Sequence, residues 1–356
     1  MTLSRVFAAV CAGLCLAPEA SSYSILTHEA IIDSAWKDNI TPLLLKRFPN
    51  ASPDELEKAH AYAYGGAIIQ DLGYYPFGNA FFSDLTHYVR SGDFIVNLLA
   101  EAANVNEYAF ALGSLAHYAA DSFGHKSAVN KSVPIVYPKL KRRFGNIITY
   151  ADDKVSHAKV EFAFDVSELA QGTYAPQAYH NFIGFEVAQS SLERAFVRTY
   201  GLELSSLLHE DPAIGTYRYT VSSILPMMSK AAWSLKKNEI LKAQPNITKR
   251  KFIYNLSRSS YQKTWGKNYE HPGWRARFIA FIFRVLPKIG PLKAFSFQPP
   301  TPATETMFMK SVNETLAQYR TLLAAQGQGA LKLQNLNFDT GGPLKPGRSY
   351  FATWTR

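Results

Sequence analysis

The ten residues AHYAADSFGH at positions 116–125 decide how this sequence is best interpreted. Residues four apart on an α-helix point in nearly the same direction, with a drift of about 40° at each step. His117, Asp121 and His125 therefore lie along one stripe of a helix whose other residues are mostly small or apolar. Burying such side chains is costly unless they have partners. The stretch thus predicts a helix with a polar, metal-capable stripe inside an apolar environment.

A second pair repeats the four-residue spacing, because His157 precedes Glu161, with Asp165 one turn further on. A lone histidine on an apolar helix is more often a hydrogen-bonded core residue than a ligand. Here, however, five of the nine histidines recur with acids across one helical region. The candidates that precede the ten-residue stretch are His28, Asp71 and His87. Zinc held by histidine nitrogen and carboxylate oxygen fits this set of residues.

Both cysteines lie in a predicted signal peptide and would be absent from the mature protein. The chain has 356 residues, and Cys11 and Cys15 are its two cysteines. Both belong to a segment typical of a signal peptide: Arg5, then an apolar run, then small residues. Cleavage after Ser22 makes Tyr23 the new N-terminus and leaves no thiol, which excludes disulfides and thiolate zinc sites. We therefore expect the protein to be secreted or periplasmic after signal cleavage.

The remaining sequence reads as helical. Hydrophobic periodicity of helical type continues through the first two-thirds of the chain, while alternating strand-like runs are scarce. Ser52-Pro53-Asp54-Glu55 is a strong helix start with a capping box. No later segment is long and uncharged enough to span a membrane. The predicted organisation is a signal peptide at 1–22, an all-α helical bundle at 23–228, a basic segment at 229–300 and a C-terminal helix with a flexible tail at 301–356.

The net charge of +10 is concentrated in one part of the chain. Between Lys230 and Lys293 there are 15 Lys or Arg residues and two acids, which gives +13 and leaves −3 for the remainder. Residues 274–286 within this segment are rich in aromatic and aliphatic side chains. They fit an amphipathic helix on an anionic membrane surface, or a buried helix with a solvated edge.

The histidine and carboxylate pattern described above resembles that of the zinc-dependent phospholipase C family, whose fold is shared with the single-strand-specific P1-type nucleases. The resemblance extends from Tyr23 to about Leu208. The features that support it are the Tyr-Ser-x-x-Thr-His start at 23–28, Asp71, His87, the 117–125 stripe and the His157–Glu161 pair. It implies a helical bundle that holds three zinc ions at one end and hydrolyses a phosphodiester with metal-activated water.

The resemblance also implies three sets of zinc ligands. The first zinc would take Asp71, His87, His117 and Asp121. The second would take His125, His157 and Glu161. The third would take His28, Asp121 as a bridge, and the amino and carbonyl groups of Tyr23. Asp71 would also orient the attacking water. One departure is that three residues separate Asp121 from His125, where the best-known family members have a longer gap.

Three functions follow from this reading. The first is a phospholipase C acting on phospholipid head groups, with the basic segment on a membrane surface. The second is a single-strand nuclease, since the basic segment interleaves aromatic residues with its charges. The third is a non-catalytic, zinc-folded lipid-binding protein. Aromatic residues near the ligands fit either a cation-binding rim or plain core packing: Tyr74, Tyr75, Phe77, Phe81 and Phe82.

Overall fold

The fold is described from a computed structural model, in which residues 25–75, 78–171, 185–208 and 297–344 are defined, together with isolated residues between 213 and 249. The predicted signal peptide and most of the basic segment lie outside these residues. In the described ranges, strand structure is limited to the two-residue strands β1 (Leu336–Asn337) and β2 (Gly342–Pro343), paired antiparallel. The α-helices are α1 (Ile25–Ala35), α2 (Thr41–Arg47), α3 (Pro53–Gly66), α4 (Ala80–Tyr88), α5 (Ser91–Glu101), α6 (Val105–Gly124), α7 (Asn130–Val136), α8 (Pro138–Phe144), α9 (Lys154–Gln171), α10 (Gln189–Tyr200) and α11 (Pro302–Gly327).

Short irregular helical turns link several of these helices. A π-helical turn (Trp36–Ile40) joins α1 to α2, and another (His125–Val129) joins α6 to α7. Two 3₁₀ segments (Ile69–Tyr74 and Leu204–Ser206) follow α3 and α10. The all-α prediction is confirmed.

Helix α3 begins where its sequence predicts. The Ser52 side chain accepts a hydrogen bond from the Glu55 backbone amide, and the Glu55 carboxylate accepts one from the Ser52 amide at 2.8 Å. Pro53 occupies the first helical position, where its missing amide hydrogen costs nothing. The helix ends at Gly66, earlier than the predicted end near Gln70, because the chain tightens into the following 3₁₀ segment.

Helix α6 is the central element of the bundle. It packs most extensively against α3, and also against α11 and α5. A Cβ atom added to Gly113 would lie 2.0 Å from the carbonyl oxygen of Ala63, and one added to Gly66 would lie 1.9 Å from that of Phe110. Side chains at these glycines are therefore excluded, and the two helix backbones lie in direct contact. This contact places the polar stripe of α6 beside the end of α3.

The C-terminal helix belongs to the same bundle. α11 begins with a capping box at Thr301 and packs along α6 and α1. The Tyr319 hydroxyl donates a hydrogen bond to the Leu112 carbonyl at 2.9 Å, and Phe308 stacks on Phe164 at 4.3 Å between ring centroids. Residues 328–344, which the sequence places in the tail, follow α11 and contain the β1–β2 hairpin. No helix in the described ranges has the length and apolar character needed to cross a bilayer.

Candidate metal centre

Four predicted ligands converge between α3, α4 and α6. Asp71 lies in the 3₁₀ segment after α3, His87 on α4, and His117 and Asp121 one turn apart on α6. All four are at most 3% exposed. We call these four residues the central cluster.

Their candidate ligand atoms are evenly spaced. His87 Nε2 lies 3.3 Å from Asp71 Oδ1, 3.4 Å from Asp121 Oδ2 and 3.3 Å from His117 Nε2. His117 Nε2 lies 3.2 Å from Asp121 Oδ2. A tetrahedral zinc ion with bonds of about 2.0–2.1 Å has ligand atoms about 3.3 Å apart. The central cluster therefore fits zinc.

Backbone carbonyls fix the orientation of the two imidazoles. His87 Nδ1 lies 2.7 Å from the Ser83 carbonyl oxygen, and His117 Nδ1 lies 2.9 Å from that of Ala67. A carbonyl oxygen only accepts, so both Nδ1 atoms carry hydrogen and both Nε2 atoms of the neutral rings present lone pairs. Two lone pairs 3.3 Å apart repel each other unless a cation lies between them. This arrangement is typical of histidines that bind metal through Nε2.

Electrostatics supports a cation at the same place. Burial disfavours the charged imidazolium of His87, but hydrogen bonds and charge from Asp121 and Asp71 outweigh burial and raise the pKa of His87 to about 10. Burial also opposes ionisation of Asp121, yet His117, His87 and His125 hold the pKa of Asp121 well below its ordinary value. The buried carboxylates thus favour positive charge at their centre, which a metal ion supplies.

His28 extends the centre toward α1. Its ring stacks on that of His117 at 4.8 Å between centroids, and its Nε2 lies 3.7 Å from Asp121 Oδ1. The two oxygens of Asp121 therefore face different histidines, as a bridging carboxylate would. His28, His117 and Asp121 form a second group of ligand atoms close enough to share one ion. Tyr23, the predicted partner of His28, lies outside the described residues.

The predicted second set is assembled differently. His125 begins the π-helical turn after α6, and its ring stacks on that of His157 at 4.8 Å between centroids. His157 Nδ1 lies 2.6 Å from Glu161 Oε1, and its Nε2 lies 2.8 Å from Asn130 Oδ1. Both nitrogens of His157 thus face protein oxygens. The three predicted ligands are neighbours, but in the described residues their ligand atoms do not converge on one point. Their role at a second zinc stays a prediction.

Several buried polar atoms nonetheless lack hydrogen-bonded partners. Buried polar groups are nearly always hydrogen-bonded, so a cluster of exceptions suggests a ligand or ion. Within the part of the chain that the structure describes, such atoms include both ring nitrogens of His125, Glu161 Oε2 and Asp339 Oδ1. The residues around His125 therefore also fit a metal ion.

Sequence reasoning missed three contributors to this region. Asn130 hydrogen-bonds His157, while Phe338 and Asp339 reach the centre from the far end of the chain. Asn130 lies five residues after His125 and could have been suspected from that proximity. Nothing in the local sequence around Asp339 distinguishes it from an ordinary turn.

The aromatic residues named as a possible rim divide between different environments. The Tyr74 ring lies 5.8 Å from that of His87, beside the centre. Phe82 is fully buried and stacks on Phe196, which is plain core packing. Phe81 is 39% exposed, and Phe77 lies outside the described residues. Tyr74 thus lies against a predicted ligand, and the neighbouring Tyr75 is close enough to Asp71 for the two groups to interact electrostatically.

Comparison with known proteins gives one family. A model of the family described as zinc-dependent phospholipase C matches residues 27–210. Searches of curated proteins and of solved structures give no significant match. The matched region covers more than half of the chain and includes every predicted ligand except Tyr23. With its all-α fold and its buried histidine and carboxylate cluster, this chain belongs to the zinc-dependent phospholipase C family.

Proposed function

We propose that this protein is a phospholipase C that hydrolyses the phosphodiester of a phospholipid and releases diacylglycerol and a phosphorylated head group. The observation that carries the proposal is the central cluster, whose spacing and orientation fit zinc. The family match supports zinc-dependent hydrolysis of this kind.

The zinc ligands we propose are those that the resemblance implies. The central cluster would hold the first ion, and His28 with Asp121 and the Tyr23 terminus would hold the third. His125, His157 and Glu161 would contribute to the second ion after His157 releases one of its present contacts. Tyr23 can ligate through its amino group only when that group is terminal and neutral, which requires signal cleavage. We therefore also propose export of the protein.

The reaction follows from the placement of these residues. When bound, zinc acidifies water and withdraws electron density from the phosphate. His87 and His117 hold the metal end of the site rigid, because their Nδ1–H groups donate to backbone carbonyls. Asp71 orients a water molecule and accepts its proton as the water oxygen attacks phosphorus. The bond from phosphorus to the glycerol oxygen breaks, and that oxygen takes up a proton from solvent.

Liposomes of defined head-group composition test this proposal. We expect the processed, zinc-loaded protein to release phosphorylated head groups, a chelator to abolish release, and added zinc to restore it. Asp71→Asn should lower kcat by about 10²-fold or more, because general-base assistance contributes roughly that factor. The exposed Asp38→Asn is the matched control and should retain activity.

Single-stranded DNA forms the second arm of the same assay. The nuclease alternative depends on the basic segment, most of which lies outside the described residues. Release of acid-soluble nucleotides without phospholipid hydrolysis would favour the nuclease. Zinc binding without turnover of either substrate, combined with retained lipid association, would favour the lipid-binding alternative.

A further inference from the structure

The chain returns to the metal centre after α11. We call residues 331–344 the returning segment. The Asn335 side-chain oxygen accepts hydrogen bonds from the backbone amides of Gly92 and Asp93, both at 3.0 Å. The Ser91 hydroxyl donates to the Leu336 carbonyl at 2.8 Å, and the Tyr118 hydroxyl donates to the Gln334 carbonyl at 2.9 Å. These bonds fix the segment across the start of α5 and the middle of α6.

Phe338 brings the returning segment into contact with the central cluster. Its side chain is fully buried, with its ring 5.3 Å from that of His87 and 6.1 Å from that of His117. Its backbone amide donates to the His87 carbonyl at 3.3 Å. Phe338 therefore excludes water from one side of His87 and His117. Its burial also fixes the position of the next residue, Asp339.

That next residue, Asp339, is 5% exposed and lies beside His125. Its Oδ1 is 3.1 Å from His125 Nδ1, which is close to the separation of about 3.3 Å between ligand atoms on one tetrahedral zinc. Neither atom has a hydrogen-bonded partner within the described ranges, despite their burial. The pair is thus close in space but not aligned for a hydrogen bond, as two atoms facing a common ion would be.

The backbone around Asp339 holds this geometry without using its carboxylate. The Asn130 amide group donates to the Asp339 main-chain carbonyl at 2.7 Å, and the same Asn130 presents its oxygen to His157. A Cβ on Gly341 would lie 2.4 Å from the Ser122 carbonyl oxygen, so the turn packs directly on α6. The carboxylate is therefore positioned by its surroundings, with His125 Nδ1 as its close polar neighbour.

The negative charge of the carboxylates in this region also favours a bound cation. Asp121, Asp339 and Glu161 are at most 5% exposed, and each has an oxygen within 3.9 Å of a ring nitrogen of His125 or His157. Several buried acids thus lie close to His125 and His157. A divalent cation among them would offset their mutual repulsion.

We propose that Asp339 is a zinc ligand at the His125 end of the centre, supplied by a part of the chain outside the family-matched residues 27–210. Both ring nitrogens of His157 already contact protein oxygens, those of Glu161 and Asn130. Asp339 provides a further carboxylate oxygen beside His125. The inference rests on zinc binding by the proposed enzyme, but not on its phospholipid substrate.

Metal content and affinity test the proposal directly. Asp339→Asn keeps the shape of the side chain and the main-chain bond from Asn130, but it removes the negative charge. After equilibration at fixed free zinc, we expect this variant of the full processed chain to retain about one zinc fewer than the parent protein, or to bind its weakest zinc at least about tenfold more weakly. Asp38→Asn should match the parent, and Asp339→Glu should recover part of the affinity.

The result that would overturn the proposal is an Asp339→Asn protein with unchanged zinc content and with affinities within twofold of the parent. If that variant does not fold, amide hydrogen exchange of the unaltered protein gives a second measurement. Zinc should slow exchange at residues 336–341 by about tenfold or more, and equal exchange with and without zinc would overturn the proposal. Because neither readout involves turnover, loss of the phospholipase proposal alone would leave both results unaffected.

Discussion

At the scale of single residues, Asp165 shows how one side chain secures the start of the described chain. Its carboxylate accepts hydrogen bonds from the Leu26 amide at 2.8 Å, the Thr27 amide at 3.1 Å and the Thr27 hydroxyl at 2.5 Å. The first amides of a helix have no partner within the helix, and they favour negative charge. Asp165 on α9 therefore caps α1 from a distance and fixes His28, one residue further on.

Replacing Asp165 with Asn tests this capping role. The amide would direct hydrogens toward groups that also donate, so we expect a loss of about 1–3 kcal/mol in the free energy of unfolding. The zinc group that includes His28 should weaken as well. Urea unfolding and zinc titration measure the two effects. Equal stability of this variant and Asp38→Asn would contradict the assigned role.

Sequence spacing predicts which side chains lie close together when both residues share a helix. Helical spacing alone places His117 and Asp121 on one face, and the structure brings their ligand atoms to 3.2 Å. The contacts of His157 could not be predicted, because a spacing of four residues does not say whether two side chains bind an ion or each other. Here His157 and Glu161 contact each other.

At the scale of helices, the contact between α3 and α6 determines where the central cluster forms. Periodicity predicts a helix over 106–124, and α6 occupies Val105–Gly124. The capping signals likewise predict the start of α3. The π-helical turn at His125–Val129 was not predictable, since its residues do not differ from those of an ordinary helix. The orientation of His125 depends on that turn.

Gly113→Ala should disrupt the α3–α6 contact and thereby the metal centre. The new Cβ would lie 2.0 Å from the Ala63 carbonyl oxygen, so the helices must separate. We expect a loss of about 3 kcal/mol in the free energy of unfolding and weaker zinc binding, because His117 lies one turn further along α6. Chemical denaturation and zinc competition measure these changes.

The matched control is Gly215→Ala, since a Cβ there has no neighbour within 4 Å among the described residues. A substitution of this kind should change the free energy of unfolding by no more than about 0.5 kcal/mol. Similar effects at the two glycines would show that close backbone contact is not what Gly113 provides.

At the scale of the whole molecule, elements far apart in sequence meet at one centre. The family-matched residues 27–210 contain the central cluster. The returning segment contacts this cluster from more than 200 residues away, as the contacts between Phe338 and His87 show. Such long-range contacts have no local signature, so sequence periodicity could predict the helical bundle but not how the C-terminal part completes it.

This convergence predicts that zinc stabilises the entire described bundle. The predicted ligands within the described residues come from α1, the 3₁₀ segment after α3, α4, α6, the π-helical turn after α6, and α9, and global unfolding separates all of them. An ion that binds only the folded state stabilises it by about 2.7 kcal/mol at a free concentration 100 times its Kd. We therefore expect the thermal midpoint to rise steadily with the logarithm of free zinc in a metal-buffered calorimetric titration. Magnesium prefers octahedral oxygen ligands and should give no comparable rise. A thermal midpoint that does not change over several powers of ten in free zinc concentration would contradict this prediction. The buried histidines and carboxylates would then bind protons and not zinc.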